Sequence, residues 1–241
     1  MFKQQTPSKE QKVEDLMHNP FIQRVCKFAS SKCPIPSFLN SICLSSLIFV
    51  GAYSTYGWQN YSYMKKTTER VREWSDQAGT SSLRRSYDKA IGDFPCRTFN
   101  ISPKTVSTPH TDQCNLAQGW CSITPLGNFN PRNGGHLILW DFGLVTELPP
   151  GTTALIPSAL ICHSNTTIQE GETRYSIVQY ASGRMFRWVH NGLATNAKWL
   201  EQATLQDIEI HNAEQAGRWK GAAMSYFTLD QLLEKGDKDR A

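Results

Sequence analysis

The chain has 241 residues, of which 39% are hydrophobic and 16 are glycine; that apolar share excludes wholesale disorder, and the length leaves room for one sizeable core rather than several large domains. Lys and Arg number 25 against 21 Asp and Glu, a net +4, which permits a nucleic-acid partner without requiring one. Seven cysteines, none spaced as CxxC, exclude a complete disulfide framework and a zinc ribbon and suit a reducing, intracellular compartment.

Taken in chain order, the N-terminal MFKQQTPSKEQKVEDL is polar where a secretory signal carries its apolar stretch. Phe38–Tyr53 is interrupted by Asn40, Ser41, Ser45 and Ser46 and falls short of the ~20 apolar residues that a bilayer requires. It is read as a buried helix, and no membrane partner is expected. Lys65–Gln77 is charged all round with Val71 and Trp74 three apart, the pattern of a solvated helix laying a narrow stripe on a core. QAGTSS (Gln77–Ser82) then reads as a loop, Arg84 and Arg85 open a short helix, and Gly92 stands near its C-cap.

From Phe94 onward, short β-branched and aromatic runs are cut by Gly, Pro and Asn about every ten residues, which is how sandwiches and jelly rolls read. Strands are expected near Cys96–Asn100, Val106–His110, Trp120–Pro125, His136–Phe142, Val145–Leu148, Thr152–Ile156, Leu160–Ser164, Arg174–Ala181 and Met185–Val189. Gly134-Gly135 and Pro149-Pro150-Gly151 mark the clearest turns. Helical signals return after Gly192, ending in a helix capped by Thr228. There is no internal repeat, low-complexity tract, P-loop or GxGxxG.

Within this β-rich stretch, His110 and Asp112 are two apart at the end of an expected strand, so alternation puts both side chains on one face about 7 Å apart along the backbone. His163 lies on another short strand, and closing the sheet on itself brings a second imidazole to the same place. Two His and one carboxylate leave coordination positions open, as in non-haem Fe(II) oxygenases, whereas closed structural zinc sites have four protein ligands. Such an iron usually needs a source of electrons, which 2-oxoglutarate supplies, and its distal carboxylate needs a fork of donors. Arg174 is a candidate fork, and Ser176 projects on the same strand face with a hydroxyl donor.

The ordered set His110-x-Asp112, Gly134-Gly135, Pro150-Gly151, His163, Gly171 and Arg174-x-Ser176 resembles the Fe(II)- and 2-oxoglutarate-dependent dioxygenases of the double-stranded β-helix class. More narrowly, TFNISPKTVSTPHTDQCN (Thr98–Asn115), GGHLILWDFGLVTELPPGTTALIPSALICHSN (Gly134–Asn165) and ETRYSIVQYASGRMFRWVHNG (Glu172–Gly192) are similar to the TET/JBP-like oxygenases multiplied in mushroom-forming fungi.

The resemblance covers about 100 residues and implies a double-stranded β-helix (jelly-roll) core over 91–192; with the helical patterning of 1–90, expected to pack on it, and of the C-terminal segment 193–241, the chain is read as α+β. The resemblance further implies that His110, Asp112 and His163 hold Fe(II), that Arg174 anchors 2-oxoglutarate, and that Asn100 and Ser176 add contacts to that co-substrate. The implied reaction consumes O2 and 2-oxoglutarate and hydroxylates a C–H bond, in TET/JBP relatives the methyl group of 5-methylcytosine or thymine in a flipped-out base. Nucleic acid would then be a partner and the nucleus the site of action. Two rival readings keep less: the same chemistry on a protein side chain or small molecule, or a retired oxygenase that only binds. The cysteine-rich zinc extension of the animal TET enzymes has no counterpart here, so their DNA-reading apparatus does not transfer.

Competing residues have plainer readings. His136 follows the Gly-Gly turn as a hairpin residue, and His18, His190 and His211 read as surface or capping residues. Trp120, Trp140 and Phe142 are expected in the core rather than as base-stacking platforms. Cys114 and Cys162 are expected as buried wall residues, since thiolates favour softer metals. Lys65, Lys66, Arg84 and Arg85 read as solvated charges, and the Arg184, Phe186, Arg187 group as packing. Oligomeric state is left open.

Overall fold

The computed structural model describes residues 57–79 and 92–238, together with isolated positions between 15 and 54. Of the Phe38–Tyr53 stretch only Tyr53 is described, and Arg84 and Arg85 lie outside the described residues. The architecture mixes helices with two antiparallel sheets. The strands are β1 (Cys96–Asn100), β2 (Cys121–Asn128), β3 (Leu137–Leu139), β4 (Leu144–Thr146), β5 (Ala154–Ile156), β6 (His163–Asn165) and β7 (Thr173–Tyr180). One sheet has the order β1-β7-β2-β5 and the other β4-β3-β6. Helices α1 (Trp58–Gln77), α2 (Gly183–His190), α3 (Asn196–Gln202), α4 (Leu205–Met224) and α5 (Leu229–Lys238) surround them in sequence.

The two sheets meet across one apolar cluster. Cys121, Ile123, Ala154 and Ile156 from the larger sheet pack with Leu137 from the smaller one and with Leu148. Side chains alternate along β7 as the pleat requires, and both faces are covered: Arg174 and Ser176 are buried on one side, Ile177 and Gln179 on the other. A second cluster joins Tyr53, Met64, Phe94, Leu116, Ala181 and Phe186 and docks the helices on the strands. Tyr53 is its centre, stacked on Phe94 at 5.7 Å and on Trp120 at 5.4 Å.

Helix α1 begins seven residues before the expected Lys65, and its buried stripe is Asn60, Met64, Thr67, Thr68, Val71 and Ser75, at helical spacing but largely polar. Trp74 meets Trp188 of α2 edge-on at 4.8 Å. Helix α4 carries a capping box in which Thr204 and Asp207 each bond the other's backbone N–H, and Thr228 caps α5 through the Gln231 N–H. Among the described residues no helix is long and apolar enough to cross a membrane.

Four sequence expectations require correction. Met185–Val189 is part of helix α2, not a strand: Phe186 and Val189 are three apart and both buried, so helical spacing satisfies them where alternation would expose one. Val106–His110 forms no ladder, only isolated bridges at Lys104 and His110. Pro109 lies within that run and Pro103 shortly before it, and neither has an N–H to donate. Trp140 and Phe142 are 50% and 66% exposed on a 3-10 turn after β3, not in the core, whereas Trp120 does pack against it. Cys114 is exposed and Cys162 half-buried, so neither is a buried wall residue.

Gly127 lies in β2 opposite Arg174 with φ +119°, and a Cβ there would stand 2.3 Å from the Thr173 carbonyl oxygen. Backbone on backbone has nowhere to yield. Gly127→Ala is therefore expected to destabilise the chain by about 2 kcal/mol or more, measured as a fall in the urea midpoint at unchanged slope.

Candidate metal centre

Residues 103–110 run between the sheets and tie Arg174 to His110. Arg174 donates its N–H to the Pro103 carbonyl at 2.7 Å and accepts from the Thr105 N–H at 3.2 Å. At the other end His110 and His163 exchange backbone hydrogen bonds of 3.1 and 2.9 Å. Asn165 holds the middle, accepting from the Ser107 N–H and hydroxyl at 2.9 Å each and donating to the Thr105 carbonyl. Asp112 follows in a turn, its N–H donated to the Ser158 carbonyl at 2.9 Å. Chain connectivity alone does not put His163 beside His110; the pairing of β6 with β3 and the bridge to His110 do.

The result is one group of three metal-ligating side chains. One donor atom each from His110, Asp112 and His163 lies within 4.8 Å of the others, and His110 Nε2 is 3.7 Å from Asp112 Oδ1. Ligands on adjacent positions of an ion with bonds near ~2.1 Å stand about 3 Å apart, so small side-chain rotations close the set. His110 Nδ1 is 2.7 Å from the Thr108 carbonyl and His163 Nδ1 is 2.9 Å from the Ile161 carbonyl. A carbonyl only accepts, so each Nδ1 carries the proton and each Nε2 is left as a bare lone pair, the state a metal needs. Burial pulls the pKa of His163 below its usual value, against the opposing Ile161 hydrogen bond.

A cavity of about 590 Å³ opens beside this group, lined by His110, Asp112, His163, Asn100, Arg174 and Ser176 among others. Arg174 is 3% exposed. Its Nη1 donates to the Thr105 carbonyl at 3.1 Å, while its Nε is buried with no hydrogen-bond partner. Burial lowers its pKa. A buried guanidinium in that condition carries a large desolvation cost, which a carboxylate entering the cavity would offset. Ser176 accepts from Asn100 Nδ2 at 2.8 Å, a cross-strand pair of β1 and β7, and that leaves the serine O–H free to donate. Cys121 also faces the cavity, but burial and then the Asp112 carboxylate push its thiol up to about 12, so no thiolate competes for the ion.

The six residues singled out in the sequence therefore line one cavity, where the donor chemistry of the triad fits a hard-to-borderline divalent ion and the unpartnered Nε of Arg174 fits an entering carboxylate. His136 is held by Thr166 and stands outside the triad. His190 lies 3.4 Å from Glu214 beside His211, on the helices. Phe186 is buried between two exposed arginines. The sequence reading missed Thr105 and Asn165, which hold Arg174 and the 103–110 segment, and Asn115, which bonds Asp112. Asn165 had a faint signal, being two residues from His163 on the same strand.

No protein-family model matches the chain, and no curated protein does. Among solved structures the chain is similar to NgTET1 in complex with 5mC DNA, at 19% identity over 73% of this chain and 69% of that one, with a TM-score of 0.35. It is also similar to a viral collagen prolyl hydroxylase from Paramecium bursaria Chlorella virus-1 in its 2OG complex, at 12% identity over 49% of this chain and 73% of that one, with a TM-score of 0.27.

Removal of one candidate ligand is expected to open the site and leave the apolar clusters, which do not include it, undisturbed. Asp112→Ala is expected to weaken Mn(II) binding by more than about a hundredfold, since even outer groups are worth ten- to a hundredfold. Mn(II) titration followed by EPR reads this, and the thermal midpoint of the metal-free variant should match the parent's.

Proposed function

We propose that the chain is an Fe(II)- and 2-oxoglutarate-dependent dioxygenase with a double-stranded β-helix core over 91–192, flanked by helical regions over 1–90 and 193–241, and that it hydroxylates the methyl group of a base in DNA. One observation carries the oxygenase reading: the buried guanidinium of Arg174, whose Nε has no partner among the described residues, lines the same cavity as the His110, Asp112 and His163 donors. A metal site alone needs no such cation. A metal site that takes a dicarboxylate co-substrate does.

In this reading His110, Asp112 and His163 would hold Fe(II), and the chemistry supplied there would be the O2-dependent oxidative decarboxylation of 2-oxoglutarate to succinate and CO2 coupled to hydroxylation of a C–H bond. Arg174 binds the distal carboxylate through its unpartnered Nε edge, its plane fixed by the Nη1 bond to Thr105. Ser176 donates its hydroxyl to the same carboxylate because Asn100 already occupies its acceptor side. The two sheets exclude water from these groups, which strengthens the ion pair that forms. Resemblance of the Thr98–Asn115, Gly134–Asn165 and Glu172–Gly192 segments to TET/JBP-like oxygenases supports a DNA base as substrate and hence a nuclear site of action. The rivals are a protein side chain or small molecule under the same chemistry, and a module that binds without turnover.

Succinate formation with methylated duplex DNA, thymine-containing DNA and a peptide, each against no substrate, separates these readings. Stimulation by methylated DNA is expected; stimulation by peptide alone moves the target to protein, and no turnover despite bound metal and 2-oxoglutarate leaves the binding module. Arg174→Leu is expected to raise the 2-oxoglutarate requirement about ten- to a hundredfold, the worth of a charge-assisted hydrogen bond, with Mn(II) affinity little changed. Equal 2-oxoglutarate affinity in parent and variant, by calorimetry, rules out the anchoring role.

A further inference from the structure

Asp112 has two carboxylate oxygens, and they face different groups. Oδ1 points at His110 Nε2, 3.7 Å away. Oδ2 accepts from the carboxamide Nδ2 of Asn115 at 3.1 Å, and the same Nδ2 reaches Ser158 Oγ at 3.2 Å. A carboxylate only accepts, so the amide must present its NH2 side to it. Asn115 is itself fixed at the backbone: its N–H donates to the Asp112 carbonyl at 2.9 Å, and it forms a bridge with Ser182. The neighbouring Cys114 carbonyl accepts from the Gly183 N–H at 2.9 Å. At Gly183 a Cβ would stand 3.2 Å from the Asn115 carbonyl oxygen, so the turn sits close against the start of α2. Ser158, the other acceptor of the Asn115 amide, is 1% exposed and its carbonyl receives the Asp112 N–H.

We infer that Asn115 is a positioning residue that occupies Asp112 Oδ2 and so presents the carboxylate to the metal through Oδ1 alone. This rests on the metal-centre reading above. The consequence is a count of positions. A carboxylate free to rotate can bind an ion through both oxygens, taking a second coordination position and leaving two open where the proposed chemistry needs three. With Oδ2 engaged, the aspartate takes one position, and the loop bearing it is tied to α2 on one side and to the Ser158 turn on the other. The amide donor also lowers the freedom of the carboxylate before the ion arrives, as hydrogen-bonded partners of metal ligands commonly do.

The test uses the full chain, metal-free, with Mn(II) as the probe. Asn115→Ala is expected to weaken Mn(II) binding about ten- to a hundredfold by EPR titration, and Co(II) absorption should shift in band shape as the coordination number changes. The thermal midpoint of the metal-free variant should stay within a few degrees of the parent's. Asn115→Asp keeps size and shape but replaces the donor with an acceptor facing Asp112 Oδ2; it is expected to bind Mn(II) at least as weakly, and it carries the test if the alanine variant fails to fold. Mn(II) affinity within twofold of the parent together with an unchanged Co(II) spectrum in a folded variant overturns the positioning role while leaving the triad intact. A parent that binds no Mn(II) overturns the metal centre and this inference with it.

Discussion

His110 and His163 are joined by two reciprocal backbone hydrogen bonds, 3.1 and 2.9 Å long, and everything at the site depends on that junction. It fastens a proline-bracketed segment with no ladder of its own to the short strand β6, which is in turn held by β3. The imidazole rings then sit 4.4 Å apart centre to centre, near enough to share an ion. Asp112 follows within two residues and is anchored separately through Ser158. Two backbone bonds thus convert a separation of more than fifty residues into a local arrangement.

The same segment governs the other end of the cavity. Thr105 offers its carbonyl to Arg174 Nη1 and to Asn165 Nδ2, so the guanidinium and the strand carrying His163 are referred to one backbone atom. Gly127 allows β2 to lie against Thr173 and Arg174 without a clash, and Gly135 admits the Phe129 ring where a Cβ would stand 2.7 Å from it. Gly135, which reads as a turn residue in the sequence, and Gly127, which carries no such signal, both act here as close approaches beside Arg174.

Much of this was legible in the residues. The Cys96–Asn100 run matches β1 in both bounds, and the Arg174–Ala181 run matches β7 to within a residue at each end, because both are rich in β-branched or aromatic residues and are cut off by turn residues. His110, Asp112, His163, Arg174, Ser176 and Asn100 were identifiable as a set and do line one cavity. The misreadings share a cause. A run such as MFRWVH is rich in strand-favouring residues, and only the joint burial of Phe186, packed against Tyr63, and Val189 shows that its apolar members are used three apart. Trp140 and Phe142 look like core residues by type, yet they occupy a turn whose indole N–H bonds Ser164. Asn115 reads as an ordinary turn residue, because nothing in its spacing says which oxygen of Asp112 its amide will meet.

Each imidazole draws its orienting acceptor from its own chain two residues upstream, Thr108 for His110 and Ile161 for His163. The tautomer and the tilt of both rings are thereby written into short local stretches of polypeptide and do not wait for an ion to impose them. An ion entering here would meet two imidazole lone pairs already aimed, so that most of the adjustment left to its arrival would fall on the Asp112 carboxylate, 3.7 Å from His110 Nε2.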